Sequence, residues 1–86
     1  MTTRAYVVVP FERDGITLGP RLAYQFEAVS HARIAAGQLA ARVAGVAILE
    51  RETDPETGDD RDTLIAGFGA IPPSFPAGAD WTVRLN

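Results

Sequence analysis

The segments Ala5–Phe11 and Val46–Leu49 carry apolar or aromatic residues on both faces of the strands they would form, with Pro10 the single break in the first. Successive side chains of a strand point to opposite faces, so runs of this kind describe strands covered on both sides. In the first, Ala5, Val7, Val9 and Phe11 point one way and Tyr6 and Val8 the other; in the second, Val46 and Ile48 oppose Ala47 and Leu49. A third run, Leu64 to Ile71, sets Leu64, Ala66, Phe68 and Ala70 on one face and Ile65, Gly67 and Gly69 on the other. Such a sheet needs two covers, and that need governs the reading of everything else.

Between the first and second runs the pattern predicts one more strand and one helix. Pro10 has no N–H for a ladder, so it belongs where that position is unpaired, near a strand end or at a bulge. Asp14-Gly15 signals a tight turn and Gly19-Pro20 a second break. Leu22, Tyr24, Phe26 and Ala28 then alternate with Arg21, Ala23, Gln25 and Glu27, the pattern of a half-buried edge or outer strand. Ser30 is the expected N-cap of a helix from about His31 to Val43, with Gly45 as the left-handed residue that ends it. Ala32, Ala35, Ala36, Leu39, Ala40 and Val43 gather on one face, small enough for close approach to a sheet. Ile34, Gly37 and Ala41 form a narrower stripe on the other side, read either as ordinary exposed apolar residues or as a small-residue surface for another chain.

The fold expected from this pattern is α+β: a ββαββ chain whose four-stranded, mainly antiparallel sheet runs in order 2-1-3-4, with strands Ala5–Glu12 and Val46–Glu52 in the middle and the helix on one face. At 86 residues the chain forms one domain, with a core over 4–72 and a tail over 73–86. In that tail Trp81, Val83 and Leu85 alternate with polar residues as in a short strand, which docks either on the sheet or on a neighbouring molecule. One helix covers one sheet face, so the second face calls for the aromatic tail, a partner or both, and a homodimer is the expected state.

Composition narrows the function classes. The chain has no cysteine, which removes disulfides, thiolate metal sites and thiol nucleophiles and fits a reducing cytoplasm. Its opening apolar run is too short for a spanning helix or signal peptide, so no membrane partner is expected. All the basic residues are arginine, and Glu50–Asp62 holds seven acids against Arg51 and Arg61, a local charge of −5 that leaves +2 for the rest. Without a basic run, and with a segment that repels phosphate, no nucleic-acid partner is expected.

The acidic segment offers oxygen ligands for a hard cation, yet counted from Asp54 its glycine falls fifth and its twelfth residue is Ile65, which is not the spacing of a calcium loop. It reads as a solvated connection, with no metal or cofactor implied. His31 stands alone; Ser30 beside it does not face it on a helix, so the pair makes no nucleophile. Gly67-Phe68-Gly69 lacks the following helix that gives a phosphate-binding motif its meaning. No catalytic residues are proposed from the sequence. Gly67 and Gly69 would leave a shallow groove, walled by Tyr6, Tyr24 or Trp81, in which a peptide, glycan or small molecule could stack.

Tyr6-Val7-Val8-Val9-Pro10-Phe11, Ala44-Gly45-Val46-Ala47, Asp54-Pro55-Glu56-Thr57-Gly58-Asp59 and Phe68-Gly69-Ala70-Ile71-Pro72 together resemble a family of short uncharacterised bacterial and prophage proteins, over residues 5–73. That resemblance implies an independently folding cytoplasmic unit and no activity. The opening Tyr-Val-Val also faintly resembles peptidoglycan-binding SPOR domains, which usually have two helices where this chain shows one. Two functions follow as expectations: a non-enzymatic homodimeric interaction or assembly protein, using the uncovered sheet face or the Ile34/Gly37/Ala41 stripe, and a small ligand-binding module.

Overall fold

A computed structural model of the chain describes residues 3–76 and 83–84. Its elements are β1 (Thr3–Asp14), β2 (Thr17–Pro20), β3 (Ala23–Phe26), α1 (Val29–Ala40), β4 (Gly45–Thr53), β5 (Asp60–Gly69) and β6 (Val83–Arg84). One sheet runs in the order β5-β4-β1-β3-β6, with β2 also paired to β1. The first five strands pair antiparallel, and β6 lies parallel to β3. The expected α+β architecture and the expected order of its four main strands are both present, here as β3-β1-β4-β5.

The two doubly apolar strands lie side by side in the middle. Val8 and Ile48 are register partners on one face, and Val7 with Leu49 and Val9 with Ala47 on the other. All six are fully buried. On the Val8 side, α1 packs Ala32 and Ala36 against Val46 and Ile48, flanked by Ala35, Leu39, Val43, Tyr6 and Phe26. On the Val7 side Phe11, Ala23, Leu49 and Phe75 form a second cluster with Leu18 and Ile71 at its margin. The Phe75 ring meets Phe11 edge-on, with centroids 4.9 Å apart and planes at 87°. The second sheet face is therefore buried in the single chain, with Phe75 among its covers, and is not an open surface for a partner. Trp81, on which part of the expected cover rested, lies outside the described residues.

Pro10 sits in mid-strand without cost. Its carbonyl accepts the Arg21 N–H at 2.8 Å, so the N–H it lacks would point to the same side, where the partner strand is broken between β2 and β3. That break also divides what the sequence pattern joins. β2 was not expected, and β3 is shorter than the predicted 22–28 strand. Of that strand, Ala23 is the fully buried residue, turned to the Phe11 cluster, while Leu22 is exposed.

Four local expectations are corrected. Ser30 does not cap α1: the helix starts two residues earlier than expected, Ala28 is the N-cap in extended conformation (φ −113°, ψ 134°), and no side chain caps the turn. Gly45 does not end the helix. The helix closes at Ala40–Ala41, with Arg42 and Val43 N–H groups donating to the Leu39 carbonyl, and Gly45 opens β4, where a Cβ would collide with the Ala70 carbonyl. Ala40, placed on the buried helix face by its spacing, is exposed. Finally, the acidic connection is short. β4 and β5 stay paired out to Thr53 and Asp60, leaving Asp54–Asp59 as the loop.

Candidate functional site

The strand at one end of the sheet, β5, gathers three exposed large apolar side chains. Leu64, Ile65 and Phe68 are 42%, 37% and 43% exposed, and the strand contains no lysine and no proline to defend its free edge. A bulge shapes it: Ile48 pairs with Ala66, but Leu49 pairs with Leu64, so Ile65 is an extra residue. The shift moves Leu64 from the Ala66/Phe68 face, where alternation puts it, to the face of Gly67. Beside Gly67 the expected groove is occupied, because Ile71 Cδ1 lies 2.6 Å from where a Cβ would stand. Gly69 has φ +69° and abuts the Ala44 carbonyl, a close approach that ends the strand.

The remaining sequence candidates fall on the other side of the sheet. Tyr6 packs at the margin of the helix-side core. Tyr24 lines an open cleft of about 610 Å³ between α1 and β3, together with Ala35, Gln38, Leu39, Ala41 and Arg42. Ile34, 61% exposed, and Gly37, with nothing within 4 Å of a built Cβ, lie along the outer face of α1. The structure thus brings Ala41 and Tyr24 to one cleft and keeps Gly67 and Gly69 apart from both tyrosines.

At the far end of the sheet, charge is paired. The Arg51 guanidinium forks onto Asp62, Nε to Oδ1 at 2.8 Å and Nη2 to Oδ2 at 3.0 Å, with Asp60 Oδ2 at 4.0 Å. The hydrogen bond to Asp62, more than the nearby carboxylate charges, holds the Arg51 pKa above its ordinary value against the opposing effect of burial. Thr53 Oγ1 donates to Asp60 Oδ1 at 2.6 Å. On the helix-side face Arg4 lies near Glu50 and Glu52, at 3.8 and 3.4 Å. The loop closes on itself: Asp54 Oδ1 accepts the Glu56 N–H, Thr57 Oγ1 accepts that of Asp59, and Gly58 at φ +77° donates to the Asp54 carbonyl. Among the described residues no three histidine, aspartate or glutamate side chains group closely enough to hold a metal ion. No described helix is long and apolar enough to cross a membrane. His31 is exposed in the first turn of α1.

Compared with protein-family models, curated proteins and solved structures, the chain matches none. The resemblance to short bacterial and prophage proteins accordingly rests on the motif residues alone.

Proposed function

We propose that this protein is a non-enzymatic, homodimeric interaction or assembly protein of the cytoplasm. One observation carries the reading: among the described residues no strand pairs with the outer edge of the ten-residue β5, and Leu64, Ile65 and Phe68 are exposed along it. An edge of this kind presents backbone donors and acceptors in a row and is a template for another strand. Over β1 and β4, by contrast, the two sheet faces are filled by α1 and by the Phe75 cluster. Light scattering across a concentration series is expected to show a monomer–dimer equilibrium; a strict monomer at millimolar concentration overturns the dimer.

A second reading has its own observation in the Tyr24 cleft. Tyrosine, Gln38 and Arg42 around an apolar floor of Ala35 and Leu39 suit a small peptide, glycan or other small molecule, held by stacking and side-chain hydrogen bonds. Titration with disaccharides and with aromatic carboxylates, followed by amide chemical shifts, is expected to move Tyr24, Gln38 and Arg42 together under this reading. Saturating probe with no shift at these residues would remove it.

A further inference from the structure

Resting on the dimer reading, we infer that two copies join β5 to β5 antiparallel, about a two-fold axis that passes between Ile65 and Ala66. Backbone direction fixes which residues face outward. In an antiparallel ladder, hydrogen-bonded and non-hydrogen-bonded pairs alternate. The Ala70 N–H donates to the Ala44 carbonyl and the Asp54 N–H to the Asp59 carbonyl. Counted inward from these two bonds through the register, Phe68 and Ala66 on one side of the bulge, and Arg61 and Thr63 on the other, turn their backbone toward β4. Asp60, Asp62 and Leu64, and then Gly67 and Gly69, turn theirs to the free edge.

The bulge makes this edge self-complementary in a particular register. Directly opposed residues of an antiparallel pair share a sheet face, so a regular strand paired with its own copy can set only residues of like parity opposite one another. Here the extra Ile65 reverses parity halfway along β5. Centring the two-fold on the bulge places Leu64 opposite Gly67 and Asp62 opposite Gly69 of the second copy, outward backbone against outward backbone and matching face against matching face. Thr63 then opposes Phe68 in a non-hydrogen-bonded pair. A register centred on Leu64 would instead put Asp62 opposite Ala66, wrong in both face and backbone direction.

Side chains fit the same register. Leu64 meets the glycine that carries no side chain and comes against the Ile71 that lies over it. Phe68 covers Thr63. Asp62 opposes Gly69, where the strand ends, so no like charges face each other across the axis. Bulges usually bend an edge away from partners; at a two-fold both strands bend alike, and the bend is shared.

The absence of native cysteine makes the test direct. Non-hydrogen-bonded pairs bring Cα atoms to about 4.5 Å, within the range a disulfide spans. Mixing the Thr63→Cys and Phe68→Cys proteins under mild oxidant is expected to give a covalent dimer at least about tenfold faster than either protein alone, since residue 63 faces 68 of the other copy and neither faces itself. Leu64→Lys, the charge that natural edges use, is expected to weaken dimerisation about tenfold or more with an unchanged melting temperature of the monomer. Equal cross-linking by either single variant overturns the register. A dimer that forms without the 63–68 link and survives Leu64→Lys overturns the surface while leaving a dimer in place. A monomer throughout overturns both, and an edge that remains monomeric but takes up an extended peptide shows the occupant to be another protein's strand.

Discussion

Glycine has opposite meanings at two positions of this chain. At Gly45 an added Cβ meets the Ala70 carbonyl, carbonyl carbon and nitrogen together, all of them backbone. Relief requires moving the end of β5 away from β4, so Gly45→Ala is expected to cost about 2–3 kcal/mol. At Gly37, in mid-helix, nothing stands within 4 Å of a built Cβ, and Gly37→Ala is expected to gain about 0.5–1 kcal/mol by restricting the unfolded chain. Urea denaturation of the pair checks both signs. Arg51 gives a third residue-level expectation. Its forked bond to Asp62 is worth about 1 kcal/mol where both side chains are four-fifths covered, so Arg51→Met lowers stability by roughly that amount. Because folding raises the arginine pKa, its share of the stability is fully present below the unfolded value and lost only as pH rises through the folded one, at the alkaline extreme. The Arg51→Met deficit should therefore be the same at pH 7 and pH 9, and a deficit that vanished by pH 9 would contradict the pairing.

At the scale of elements, the long hydrophobic strands were legible from sequence and the connections between them were not. Consecutive apolar residues at 5–11 and 46–49 imply two-sided burial, and two-sided burial puts these strands in the middle. What periodicity missed was set by pairing across strands. Glu50-Arg51-Glu52 and Asp60-Arg61-Asp62 sum to one acidic stretch, yet antiparallel register sets Arg51 against Asp62 and Glu52 against Arg61, carrying the first strand to Thr53, just past the expected Glu52, and starting the return strand at Asp60 instead of Leu64. The alternation of charge within each triplet was the available signal. The bulge at Ile65 left no such mark, so Leu64 was assigned to the wrong face, and with it the character of the β5 edge. The helix start was misplaced because Ser30 has the right chemistry two residues too late. Ala28 occupies the cap with no side chain to accept an N–H, and Ala28→Ser is expected to stabilise the protein by about 1 kcal/mol, seen as a rise in the denaturation midpoint with an unchanged slope.

Over the whole molecule, the contrast that matters is between two phenylalanines, Phe68 and Phe75. Phe75 is nearly fully buried and stacks edge-on against Phe11 in the core that α1 does not reach, whereas Phe68 on β5 is 43% exposed. If the Val7–Leu49 face depends on Phe75, Phe75→Ala should cost about 3–5 kcal/mol. For a domain of this size that is a fall of roughly 12 °C or more in melting temperature, with dye binding to the newly exposed face. Phe68→Ala removes less buried area than Phe75→Ala, so its melting temperature at low concentration should fall by less, while its dimerisation weakens. A large loss of monomer stability from Phe68→Ala would mean that β5 is held by its own core. Loss confined to self-association would assign the two aromatic residues to two different tasks, one closing the fold and the other leaving it open at an edge.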